Sequence, residues 1–119
     1  KYSFDIIICS HVLEHIKDDE KAMNTLFQTL DVYGIALFIV PLSDKKDTEE
    51  FLKPDESGHY RLYGYDNFIQ RLFNSGFSDV VPVKVAGTKY DPYLSDEVLF
   101  LAKKFKIWKI ITVLRKTGV

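Results

Sequence analysis

Phe4-Asp5-Ile6-Ile7-Ile8-Cys9-Ser10-His11-Val12-Leu13-Glu14-His15-Ile16 is the stretch whose reading decides the fold. An apolar run rich in isoleucine stops at Ser10, and polar side chains take over. About four to eight continuous apolar residues of this kind suit a strand buried on both faces, inside a parallel sheet covered by helices. His11, Glu14 and His15 then fall at i, i+3 and i+4. A turn of helix beginning near Ser10 would project all three onto one face.

Downstream, Lys17-Asp18-Asp19-Glu20 offers Asp18 or Asp19 as a helix cap, with acidic residues in the positive first turn. Ala22, Met23, Leu26, Phe27 and Leu30 recur at the spacing of one apolar helical face, the signature of core packing. Gly34 punctuates the end, and Ile35 to Val40 is a second apolar run of strand length, closed by Pro41. Strand, helix and strand make a βαβ unit, a crossover that is right-handed in nearly all cases.

Residues 42–58 are polar and read as a solvated, mobile loop. Because it follows a parallel strand, the sharper reading is a lid over a ligand. After His59-Tyr60-Arg61-Leu62-Tyr63 comes a short amphipathic helix, with Phe68, Ile69, Leu72 and Phe73 inward, Gly76 as a left-handed stop and Phe77 packed back on it. Asp79 to Val85 reads as a strand, and Pro82 within it argues for an edge. Val98 to Ala102 is the last strand, returning antiparallel through Gly87 to Tyr93. The tail places Ile107, Trp108, Ile111 and Leu114 near one face, with lysines and Arg115 around it. Such a basic amphipathic segment packs on the protein itself or meets a membrane surface or a partner.

The 119 residues suit one domain, and 46% hydrophobic with 28% charged is an ordinary globular balance. A net charge of -1 and a pI near 6.3 give no electrostatic footprint for nucleic acid. Cys9 is the single cysteine, so an intrachain disulfide is excluded and a reducing, cytoplasmic setting is the default expectation. The chain opens on Lys1 and is at once inside a buried-type strand. That start suggests the carboxy-terminal part of a longer polypeptide, with roughly a hundred residues upstream. Without a neighbour, Asp5 to Ser10 would be an open apolar edge, and dimerisation through it is the expectation for this piece.

The order β, α, β, α, β, β, with an antiparallel last pair, suggests the second half of a seven-stranded Rossmann-like sheet. Phe4-Asp5 opening the strand and Leu13-Glu14-His15 following it then resemble the fourth-strand motif of class I S-adenosylmethionine-dependent methyltransferases. Gly34 before a strand ending in Pro41, His59-Tyr60-Arg61-Leu62-Tyr63 before a helix, and Gly76-Phe77 closing that helix extend the resemblance over residues 1–104. Residues 105–119 stand apart as the basic tail. The family commonly has Pro-Gly-Gly where this chain has Asp31-Val32-Tyr33-Gly34, which keeps only the turn glycine.

The resemblance implies a partial methyltransferase sheet, strands four to seven with their helices, and S-adenosylmethionine as cofactor. The family's glycine-rich cofactor loop and its ribose-binding acidic residue have no counterpart here, so this piece is expected to be inactive alone. It also implies that Ser10, with Cys9 and His11 beside it, faces the methionyl and sulfonium region. The acceptor is expected to be a small molecule, sugar or quinone-like, methylated at oxygen. A non-catalytic module that binds a protein or membrane through the tail, Tyr90, Tyr93 and Trp108 is the alternative class.

Three readings of the histidines stay open. Some relatives carry Glu-x-x-Glu-His as a divalent-metal site, and here the match is His11-x-x-Glu14-His15 with His59, where histidine in place of the first glutamate keeps a ligand type while softening the site toward zinc, iron or nickel over magnesium. Alternatively His15 or His59 is a general base, with Arg61 available to a carboxylate or phosphate on the acceptor. In the third, Glu14 and His15 bond backbone and fix the turn, and His59 is an ordinary loop residue.

Overall fold

A computed structural model of the chain describes residues 3–85 and 97–104. The loop from Gly87 to Tyr93 and the tail at 105–119, with Trp108, lie outside the described residues. The elements are β1 (Phe4–Ser10), a 3-10 turn (Leu13–His15), α1 (Asp19–Thr29), β2 (Leu30–Ile39), β3 (Glu49–Glu50), β4 (Arg61–Leu62), α2 (Tyr65–Asn74), β5 (Asp79–Val85) and β6 (Glu97–Lys103). Among the described residues, β1, β2, β6 and β5 lie side by side in that order as one sheet, and β3 pairs with β4 in a second. β1 and β2 are parallel, whereas β6 runs antiparallel to both β2 and β5. The sheet is therefore mixed, and Pro82 sits on an outer strand, as its lack of an N–H suggested.

Both helices pack on one face of the sheet. Across the strands, Cys9, Phe38, Phe100 and Pro82 stand in register, as do Ile7, Ala36, Ala102 and Val80. Phe38, Phe100, Ala36 and Ala102 are fully buried beneath Met23 of α1 and Phe68 and Leu72 of α2. Phe68 meets Phe38 and Phe100 at tilted or edge-on angles, the favoured geometry for aromatic rings. Each such ring contributes roughly 1.5–3 kcal/mol by leaving water.

The alternate residues face away from the helices, and there the expectation of a strand buried on both faces fails. Ile8, Leu37, Leu101 and Val81 form one cross-sheet row on that face. Ile6 is 63% exposed and Ile8 72%. The apolar run reflects a strand whose second face and outer edge no described segment covers. No described helix is long and apolar enough to cross a membrane.

Asp18 caps α1 by accepting from the Lys21 N–H, as its position suggested. The helix ends earlier than Gly34 implied, because Leu30 turns directly into the extended conformation and pairs with Phe4. The register then shifts, so that Ile6 pairs with Ile35 and residues 31–34 are accommodated as an irregularity in β2. Gly34 lies inside β2, where an added Cβ would overlap the Leu30 side chain, instead of stopping the helix. In α2, Phe68 and Leu72 are buried but Phe73 is 42% exposed, so the inward face is narrower than expected. Gly76 does adopt positive φ, and Phe77 packs against Phe27 and Phe38.

The polar segment 42–58 is tied down, not a free lid. Ser43 N–H donates to Tyr63 O, Phe51 N–H to Tyr60 O, and the Tyr65 and Asn67 N–H groups donate to Lys45 O and Lys46 O. The last two bonds satisfy the orphan donors at the start of α2, whose N-cap Gly64 has no side chain to do so.

Candidate active site

At the carboxyl end of β1 the chain leaves the sheet through an unusual residue. His11 has φ 55, in the left-handed region, and its N–H donates to Ile39 O at 2.8 Å. That conformation is uncommon for residues other than glycine, although histidine is enriched among the exceptions. The turn explains why His11, Glu14 and His15 do not share a helical face as their spacing suggested. Only Leu13–His15 is helical, a single 3-10 turn, and the left-handed residue reorients everything before it.

The neighbours thereby diverge. Cys9 is buried and lines an apolar cleft of about 470 Å³ with Val12, Leu13, Ile16, Ala22 and Leu26. Ser10 and His11 are exposed. Burial pushes the Cys9 thiol up to about 11, and the nearby Glu14 charge acts in the same direction. Of the three residues tied to the cofactor by resemblance, Cys9 thus turns into the protein while Ser10 and His11 stand at its surface.

Glu14 is 1% exposed, and among the described residues neither of its carboxylate oxygens accepts a hydrogen bond. His11 Nδ1 stands 3.5 Å from Glu14 Oε2. The backbone around Glu14 is firmly held, since Tyr60 N–H donates to Glu14 O at 2.8 Å and joins this turn to the segment before β4. That bond carries His59 to His15, whose rings meet edge-on with centroids 4.6 Å apart. Glu14, His15 and His59 each offer a ligand atom, all within 4.8 Å of one another. His11 is not part of that group, although its Nδ1 reaches Glu14.

Both imidazoles are anchored from behind. His15 Nδ1 lies 3.2 Å from Gly58 O. Gly58 has φ +80, a conformation a side chain would strain, so the carbonyl is presented by a turn that favours glycine. Asp55 organises that turn by accepting from the Ser57 and His59 N–H groups, each at 2.9 Å. The His59 N–H bond, first among the causes, holds the Asp55 carboxyl below its ordinary range. His59 Nδ1 is 3.9 Å from Asp55 Oδ2.

Arg61 is not available to an acceptor. Its Nη1 donates to Leu13 O and Ile16 O, Nη2 to Lys17 O, and Nε to the Glu50 carboxylate. At 3% exposure it is a buried staple between the turn after β1 and the β3–β4 pair. Beside it, Asp19 accepts from Tyr63 Oη at 2.6 Å and from Arg71 Nη1 at 2.7 Å, and Arg71 also reaches Glu50. This network was missed in the sequence because Asp19 reads as a helix-start acid. Its only signal was a second acidic residue directly after the cap.

A parallel pair, β1 and β2, that places polar groups at its carboxyl end defines an open α/β sheet of the kind that binds ligands there. The profile described as "Methyltransferase domain" matches residues 1–81, and the chain belongs to that family. No curated protein sequence matches the chain. In fold it is similar to 1,6-didemethyltoxoflavin-N1-methyltransferase of Burkholderia thailandensis, a structure with S-adenosylhomocysteine bound, with TM-score 0.68 and 16% identity over 89% of this chain and 46% of that one. The glycopeptide N-methyltransferase MtfA with S-adenosylmethionine matches with TM-score 0.61 and 17% identity over 89% of this chain and 56% of that one. The CMeT domain of the citrinin polyketide synthase gives TM-score 0.60 and 16% identity over 88% and 28%. The chain therefore spans between about a quarter and three fifths of the length of these structures.

Proposed function

We propose that the whole protein transfers a methyl group from S-adenosylmethionine to an oxygen of a small-molecule acceptor, a sugar or quinone-like hydroxyl. The observation that carries this reading is the gathering of Glu14, His15 and His59 just beyond the carboxyl end of parallel β1, in a chain of the methyltransferase family. Ser10 and His11, exposed at the strand end, border the cofactor's methionyl part, and the histidine corner borders the acceptor. In the transfer, the acceptor oxygen attacks the methyl carbon, the carbon–sulfur bond breaks, and its electron pair returns to sulfur to leave neutral S-adenosylhomocysteine. The hydroxyl proton must leave as the carbon–oxygen bond forms, which asks for a base or a divalent metal at this corner.

The 119 residues contain no glycine-rich loop after a strand, so we expect them to bind the cofactor weakly and not to turn over alone. Isolated, this piece exposes Phe4, Ile6 and Ile8 on the outer strand β1, and self-pairing of two copies there is its expected state. A monodisperse monomer in light scattering would contradict that. The lone cysteine fits a reducing compartment such as the cytoplasm. The deciding experiment titrates S-adenosylmethionine into the whole protein and follows methyl transfer from labelled cofactor to a panel of hydroxyl compounds. Absence of cofactor binding would favour a non-catalytic interaction module instead.

A further inference from the structure

We infer that the end of the sheet from which the carboxy-terminal tail departs is a docking surface for an anionic phospholipid bilayer. β6 runs antiparallel to β2, with Lys103 level with Ile35 and Asp79, so the chain leaves at the amino ends of β1 and β2. What it leads into is read from the sequence alone. From Lys103 to Lys116 there are six cations, Lys103, Lys104, Lys106, Lys109, Arg115 and Lys116, and no acidic residue. Ile107, Trp108, Ile111 and Leu114 stand among them at helical spacing. A basic stretch with tryptophan and aliphatic residues at that spacing suits the boundary between headgroups and acyl chains. Its charges recur too often for it to cross a bilayer.

The described residues supply a second observation. Phe4 is 53% exposed, Val32 44% and Tyr33 54%, and all three stand at this same end, Phe4 opening β1 and the other two in the irregular start of β2. Large apolar side chains held in water, with a phenol among them, match the interfacial belt, where a ring meets the acyl boundary and its hydroxyl the headgroups.

Asp5, Asp31 and Asp79 are the acids of this end. Asp31 already accepts from the Tyr33 N–H at 3.2 Å, and Asp79 stands beside Lys103 in the sheet. The six cations outnumber them, in a chain whose net charge is -1, so the positive field is local to this end. Six cations without an acid suit a partner that is negative throughout, which an anionic leaflet is and a protein surface of mixed sign is not.

Orientation follows from the register. Ser10 lies at the other end of β1, about 20 Å from Phe4 at about 3.3 Å per residue. Docking by the Phe4 end leaves the histidine corner facing water. On the acceptor-site reading of that corner, the acceptor is dissolved or projects well clear of the bilayer.

The test sediments the whole protein, without cofactor or acceptor, with vesicles of phosphatidylcholine alone and of equal parts phosphatidylcholine and phosphatidylglycerol. Binding is expected to the mixed vesicles only, and it should fall as salt rises. Lys106→Gln combined with Lys109→Gln should weaken it roughly 25-fold, about fivefold per charge removed. Tyr33→Ser, at an exposed position, should weaken it several-fold. Full affinity in either variant overturns the surface, as does equal binding to both kinds of vesicle. Retention on single-stranded RNA without vesicle binding would assign the tail to nucleic acid instead, and binding to neither would mean that it packs on the protein. Methyl transfer to a soluble acceptor without vesicle binding would sink this surface alone, and vesicle binding without methyl transfer would sink only the proposed function.

Discussion

The rings of His15 and His59 stand edge to face, 4.6 Å between centroids, although one follows β1 and the other precedes β4. Two backbone features make this meeting, the Tyr60 N–H bond to Glu14 O and the turn that presents Gly58 O to His15. The pair closes one side of the buried Glu14 carboxylate, so a corner with one acid and two imidazoles exists before any ligand binds.

Arg61 is the residue on which that corner depends most. Its guanidinium serves the Leu13, Ile16 and Lys17 carbonyls and the Glu50 carboxylate at once. Arg61→Met should cost about 3 kcal/mol, because buried acceptors lose charged donors. Arg61→Lys should recover little of it, since an ammonium cannot span the same acceptors. Urea denaturation of the three proteins checks both, and a lysine variant as stable as the parent would contradict the stapling role.

Gly64 tests the anchoring of the 42–58 segment. Its φ of -86 suits any residue, but a Cβ there would overlap the backbone oxygens of Lys46 and Asp47. Gly64→Ala should therefore lose about 2–3 kcal/mol by overpacking alone. Faster proteolysis within 43–48 should accompany the loss, and an unchanged cleavage rate would argue against the packing.

At His11 the backbone conformation, not the imidazole, sets stability. With φ 55, His11→Gly relieves the left-handed strain and His11→Val adds to it. The glycine variant should be about 1–2 kcal/mol more stable than the valine variant. Equal urea midpoints would mean that the turn relaxes to another conformation.

Cys9 should be unreactive in the folded protein. Burial, with the Glu14 charge second, raises its thiol from the ordinary 9.0 to about 11. Iodoacetamide at pH 8 should label Cys9 slowly in buffer and readily in urea. Because the folded state holds the thiol proton more tightly, its stabilising contribution is complete below pH 9 and is lost as pH rises through about 11. Equal labelling rates with and without urea would show that the thiol is open to solvent.

Much of the fold was legible in order along the chain. Ile6 to Cys9 and Ile35 to Ile39 announce strands by their apolar runs, Asp18 announces the start of α1, and Pro82 marks an outer strand because proline cannot donate to a ladder. The Leu13-Glu14-His15 motif likewise pointed to the right family.

The membership of that corner was settled only by tertiary contact. His59 joins His15 through backbone bonds between distant segments, whereas His11, at a left-handed φ that no helical spacing rule contains, reaches Glu14 but lies outside the group that Glu14 forms with His15 and His59. Arg61 looked free for an anion because a sequence shows its charge but not the three carbonyls it fills. Local patterns determine which elements form, since propensity and periodicity act over a few residues. Which polar atoms are already satisfied, and which are left over as Glu14 is, depends on partners that only the packed chain brings within reach.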